Sequence, residues 1–137
     1  MKRYCLDASA LFLYLTSGEE NHDLEGVFAD INDGKAEGII STVTMAEFHR
    51  AIMRAFSREK ADLYVSWLRE SKISIISTDQ KIGLSASSLK QRYAKARSPF
   101  AWGDAFCLAT AIHTNCDVLV TMDSEFDKVD DIKIMKV

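Results

Sequence analysis

Four acidic residues, Asp7, Glu47, Asp104 and Asp123, stand where carboxylates could do chemistry. Asp104 is the sharpest of them. It is the only charged side chain in residues 98–112, a run that is apolar nearly all round and reads as a helix buried on most faces. A carboxylate does not persist in such a place unless it is paired, hydrogen-bonded or bound to a metal. The run itself offers no Lys or Arg as partner. Several carboxylates brought together repel, and some take up protons. A hard divalent cation removes that conflict, because Mg²⁺ or Mn²⁺ prefers oxygen ligands and keeps several waters. Such an ion can ready a water for attack and steady charge building on a phosphoryl oxygen. Zinc fits less well: His22, His49 and His113 show no ligand spacing, and no two cysteines lie close in sequence.

Three of the four, taken singly, also have a plainer role; Asp104 is the exception. Asp7 can cap a helix, Asp123 can cap a turn before Phe126, and Thr44-x-x-Glu47 has the spacing of a capping box. The group carries more weight than its members, provided that the fold brings the four together.

The elements predicted from pattern make that possible. Strands are expected over residues 3–7, 38–42, 73–77, 117–121 and 132–137, the last alternating like an edge strand. Helices are expected over 8–15, 23–32 and 45–56, after a cap at Ser57, over 78–96, and over 98–113 with Ser98 as cap and Pro99 in the first turn. Strands separated by helices imply crossover connections, hence a mostly parallel sheet of four to five strands with helices on both faces. Ligands bind such sheets outside the carboxyl ends of the strands, near the point where strand order reverses. Asp7 and Asp123 follow two strands. Glu47 is expected in the first turn of the helix after a third, and Asp104 in the early turns of its own helix.

Composition sets outer bounds. The length of 137 residues suits one domain spanning 1–137. Cys5, Cys107 and Cys116 lie in apolar runs and read as small buried hydrophobes in a reducing cytoplasm. No apolar stretch approaches the ~20 residues of a membrane span. Lys2 and Arg3 ahead of residues 8–16 outline a signal peptide, but Asp7 interrupts it and no small-x-small cleavage site follows. No Gly-rich phosphate loop is present. The net charge of −3 hides an asymmetry: residues 48–97 carry a balance of +7 and the remainder −10. That suggests a basic face beside an acidic centre.

Four stretches, Leu6-Asp7-Ala-Ser9-Ala-Leu11, Ser41-Thr-Val-Thr-Met-Ala-Glu47, Gly103-Asp104-Ala and Val120-Thr121-Met-Asp123-x-x-Phe126, resemble in order the signatures of PIN-domain ribonucleases. The chain is similar in size to the VapC toxins of toxin–antitoxin pairs. The resemblance implies a three-layer α/β/α sandwich with Mg²⁺ or Mn²⁺ held by acids at one sheet edge. It implies Asp7, Glu47, Asp104 and Asp123 as the catalytic constellation, with Asp7, Asp104 and Asp123 as metal ligands. It further implies that Ser9 and Thr121 orient acids or waters and that Asp127 assists through a water. The reaction implied is hydrolysis of an RNA phosphodiester to a 5′-phosphate and a 3′-hydroxyl. The partners implied are RNA, a cognate antitoxin and a second copy of the chain. One departure is Trp102 ahead of Gly103, read as core packing.

An acidic pocket repels RNA, so phosphates need a positive approach. Lys90, Arg92, Lys95 and Arg97 are expected to supply part of it, with Tyr93 free to stack a base and Arg50 and Arg54 nearer the metal. Two rival readings remain at this point. One is a non-catalytic binding module on the same fold. The other is a metal-dependent nuclease acting on DNA, whose known forms are larger.

Overall fold

The computed structural model describes residues 1–17, 20–95 and 99–137. The chain opens with β1 (Lys2–Leu6), α1 (Ala8–Ser17) and α2 (His22–Asn32). It continues through β2 (Ala36–Ser41), α3 (Thr42–Ala55), α4 (Arg58–Glu70) and β3 (Ile73–Ile76). Next come α5 (Gln80–Tyr93), α6 (Trp102–His113) and β4 (Val118–Thr121), then a short 3₁₀ helix (Ser124–Lys128) and β5 (Lys133–Lys136).

All strand pairings are parallel, in the order β3-β2-β1-β4-β5. From β1 the chain builds outward through β2 to β3. It then crosses back to lay β4 on the other side of β1, with Leu6 opposite Val120. The reversal of strand order therefore falls between β1 and β4, which is where an open parallel sheet forms its ligand crevice.

Alternation along the strands divides the core in two. Tyr4 and Leu6 of β1 and Val118 and Val120 of β4 face α1 to α4, packing with Leu11, Phe28, Ile31, Phe48, Ile52 and Leu68. Cys5 and Leu119 face α5 and α6, packing with Ala86, Leu89, Phe100, Leu108 and Phe126. The result is the three-layer α/β/α arrangement, with a sheet that is wholly rather than mostly parallel and β5 at its edge. Among the described residues no helix is long and apolar enough to cross a membrane.

Two helix starts differ from expectation. Helix α3 begins three residues early, because Ser41 in extended backbone at the end of β2 accepts the Thr44 N–H at 2.9 Å and caps the helix itself. The Thr44–Glu47 capping box does not form, and Glu47 lies in the second turn, free of that task. Helix α6 begins late, at Trp102, with Ala101 in the cap position and no side-chain capping bond. Pro99 precedes the helix, and Ser98 lies outside the described residues. What fixes this entry is Phe100, fully buried with its ring 5.5 Å from Tyr93 and 5.6 Å from Phe126. Burying such a ring is worth roughly 1.5–3 kcal/mol, enough to outweigh a favourable proline start. The late start puts Asp104 in the first turn of α6.

Candidate active site

Asp7 is the first residue beyond β1, with its N–H bonded to the Val120 carbonyl at 3.0 Å. Its own carbonyl accepts the Ala10 and Leu11 N–H groups and so opens α1. Its carboxylate is buried and held by two hydroxyls, Ser9 Oγ at 2.9 Å and Thr121 Oγ1 at 2.8 Å, both donating to Oδ2. Each hydroxyl is fixed in turn: Ser9 Oγ accepts the Met122 N–H at 3.0 Å and Thr121 Oγ1 accepts the Asp123 N–H at 2.9 Å. This small lattice ties the end of β1 to the end of β4. Burial raises the Asp7 carboxyl above its ordinary value, opposed by the bonds from Thr121, Ser9 and the Ala8 N–H, and the Asp123 charge adds to the rise.

Asp104 enters the same crevice from α6 and is 9% exposed. Its pKa is pushed up to about 7, first by burial and then by the charges of Asp7, Asp123, Glu47 and Glu125. Glu47 comes from α3 and is likewise raised, by burial and then by Asp7. The residue is exposed, but its carboxylate lies against the backbone of Gly103. A Cβ placed on Gly103 would fall 2.6 Å from Glu47 Cδ. Asp123 accepts the Glu125 N–H at 2.9 Å and caps the 3₁₀ helix, so the plain role expected of it is real and coexists with its place in the crevice.

The fold thus gathers the four predicted acids, and none of them is in an ion pair among the described residues. Glu125 is a fifth acid that the sequence reading missed; its only signal was its place two residues after Asp123. It is paired with Lys128 at 3.0 Å. Asp127 is ion-paired with Lys136 at 3.1 Å. Among the described residues no group of three or more His, Cys, Asp or Glu is arranged so that it could hold a metal ion as it stands. The chemistry of the donor set nonetheless suits a hard cation: oxygen donors only, crowded enough to raise one another's proton affinity.

The basic residues are scattered. Arg54 lines an open groove of about 500 Å³ with Ala8, Ser9, Phe12, Ala51, Ala55 and Met122, beside the hydroxyl that holds Asp7. Arg50 is exposed one turn earlier on α3. Lys90 donates to the Phe100 carbonyl at 2.5 Å, Arg92 is paired with Asp131 at 3.0 Å, and Lys95 is exposed. Arg97 lies outside the described residues. Tyr93 is not free to stack: it is buried, and its hydroxyl donates to Asp131 at 2.7 Å with Asp130 Oδ1 at 2.8 Å. Trp102, in contrast, is not core but 53% exposed. The apolar stretch around it reads alike for either placement; only the late helix start turns this residue outward.

The PIN domain family profile matches residues 4–132. The chain belongs to the PIN-domain family. Comparison with curated proteins finds no match. Among solved structures this PIN domain is similar to VapBC2 of Rickettsia felis bound to a promoter DNA fragment, with a TM-score of 0.78, 15% identity, and 98% of each chain covered. It is also similar to DNA-bound VapBC of Salmonella typhimurium, with a TM-score of 0.75 and 17% identity over 99% of this chain and 98% of that one. A third is VapC20 of Mycobacterium tuberculosis, a toxin that cleaves the sarcin–ricin loop, with a TM-score of 0.73 and 13% identity over 96% and 99%. At these identities the likeness of this PIN domain to the VapC toxins is one of fold.

Proposed function

We propose that this PIN domain, a single unit over residues 1–137, is a cytoplasmic, divalent-metal-dependent endoribonuclease and the toxin of a toxin–antitoxin pair. The observation that supports this best is the state of Asp104: a carboxylate lifted to about 7 by burial and four neighbouring acids, with no cationic side chain paired to it among the described residues. A site that raises its own carboxylates in this way is built for a positive guest. Asp7, Asp104 and Asp123 would hold Mg²⁺ or Mn²⁺, with Glu47 and Glu125 adding negative charge around it. When bound, the cation supplies an activated water and charge neutralisation at a phosphoryl oxygen.

The chain's own residues do the rest. Ser9 and Thr121 keep the Asp7 carboxylate in one orientation through Oδ2. Glu47 lies against Gly103, near enough to Asp104 for its charge to raise that carboxyl. Arg50 and Arg54 offer the nearest positive charge to an incoming phosphate, with Lys90, Arg92, Lys95 and Arg97 further out. The solved complexes of similar toxins with their antitoxins motivate the same partnership here, with a second copy of the chain as a further partner.

The test is cleavage of an RNA pool by the purified chain with Mg²⁺ or Mn²⁺ and with EDTA, beside Asp104→Asn. The expected result is metal-dependent cleavage that leaves 5′-phosphate ends and is lost in the variant. Cleavage that survives EDTA or the substitution overturns the assignment. Preference for single-stranded DNA over RNA would move the enzyme to the DNA nucleases.

A further inference from the structure

Trp102 is a large apolar side chain left half in water at the rim of an acidic crevice. It lies one residue before Gly103, whose backbone carries the Glu47 carboxylate, and two before Asp104. Exposing an indole there forgoes burial energy that the core could have used. The ring is also positioned. Phe106, one turn along α6, flanks it at 5.9 Å and 34°. The Lys90 ammonium is 5.3 Å from its centroid, and that ammonium is pinned by its bond to the Phe100 carbonyl.

A polyanion must be held next to charges that repel it. Contacts to the bases achieve this without opposing the acids, since every base has a π-face, and an indole is a good surface for it. A nearby fixed cation suits the adjoining phosphate. We propose that Trp102 stacks an unpaired nucleobase of the RNA beside the acidic pocket, with Lys90 holding the neighbouring phosphate. This subsite rests on the nuclease reading above. It gives that reading a substrate class: RNA with at least one base free of its helix at the cut, since a paired base in a duplex does not present its face. The stacking role expected of Tyr93 thus passes to a residue on the next helix.

The experiment uses the full chain carrying Asp104→Asn and Trp67→Phe, so that RNA is not cut and Trp102 is the only tryptophan. Single-stranded RNA is titrated with emission and anisotropy read together, beside a fully paired duplex and an oligomer lacking bases. Single-stranded RNA should quench the emission, and the other two should not. Trp102→Ala should bind single-stranded RNA about 5-fold to 100-fold more weakly, as expected for the removal of one stack, and Trp102→Phe should recover most of the loss. The site is exposed, so the melting temperature of each variant should match its parent, which separates a stacking defect from a folding defect. Binding by anisotropy with unchanged emission, or equal binding by Trp102→Ala, overturns the subsite alone. Absence of RNA binding by every version overturns the nuclease reading and the subsite with it.

Discussion

The hydroxyl of Thr121 joins two acids that are 116 positions apart in the chain: it donates to Asp7 Oδ2 at 2.8 Å and accepts the Asp123 N–H at 2.9 Å. Replacing it with the isosteric Val removes both bonds and leaves a buried carboxylate short of a donor. Thr121→Val should lower stability by about 1–3 kcal/mol, the usual cost of unsatisfying buried polar groups. It should also raise the Asp7 carboxyl further, since the Thr121 bond is the largest force lowering it. Chemical denaturation measures the first, and titration of Asp7 by carboxyl NMR measures the second. An unchanged midpoint would mean that the hydroxyl has no structural part.

Asp104 contributes a pH dependence to stability. Its folded-state pKa of about 7 lies above the ordinary 3.8. Between those two pH values the folded chain holds a proton that the unfolded chain has released, so stability falls as pH rises through the window. In metal-free buffer the melting temperature should therefore drop from pH 3.8 toward pH 7. Asp104→Asn should flatten that drop and, at neutral pH, melt no lower than the parent. Adding Mg²⁺ should lift the parent by linkage and the variant far less. Parallel profiles for the two proteins would remove Asp104 from the site.

The Glu47 carboxylate occupies the room that a Cβ on Gly103 would need. Gly103→Ala should favour the helix by up to about 1 kcal/mol on intrinsic grounds. At the same time it should displace Glu47 and reduce cleavage at least tenfold. Stability and activity should thus move apart. On a Glu47→Ala background the same substitution should cost no further activity, a non-additivity that a double-mutant cycle measures.

Arg54 tests the approach of phosphate. Arg54→Glu should weaken RNA binding at low salt and reduce the slope of log affinity against log salt, by about one for each phosphate that is no longer neutralised. Tyr93→Phe supplies the contrast. It removes the donor shared by Asp130 and Asp131, which should cost about 0.5–1.5 kcal/mol of stability, with no change in RNA affinity.

The parts of this site that sequence reveals are those fixed by periodicity and by a charge in the wrong place. Asp7 and Asp123 follow short apolar runs that read as buried strands, and Asp104 interrupts an apolar helix, so their convergence follows from the parallel topology. Details settled by competition between local signals are harder to see. Ser41 and Thr44 are equally good helix caps; which one serves depends on where β2 stops. Trp102 and Tyr93 are both aromatic residues in amphipathic surroundings, and nothing local marks Tyr93 as the buried one and Trp102 as the exposed one. Gly103 reads as a weak helical residue until Glu47 is seen against it.

The pairing of β1 with β4 bears on synthesis as well as on chemistry. Synthesis runs from Asp7 to Asp123, so the two acids are made 116 residues apart. Until β4 emerges, β1 lacks one neighbour, the Ser9 and Thr121 hydroxyls are apart, and no partial product possesses the crevice. The acidic crevice is thereby a property of the assembled sheet, and a chain that stops short of β4 does not have it.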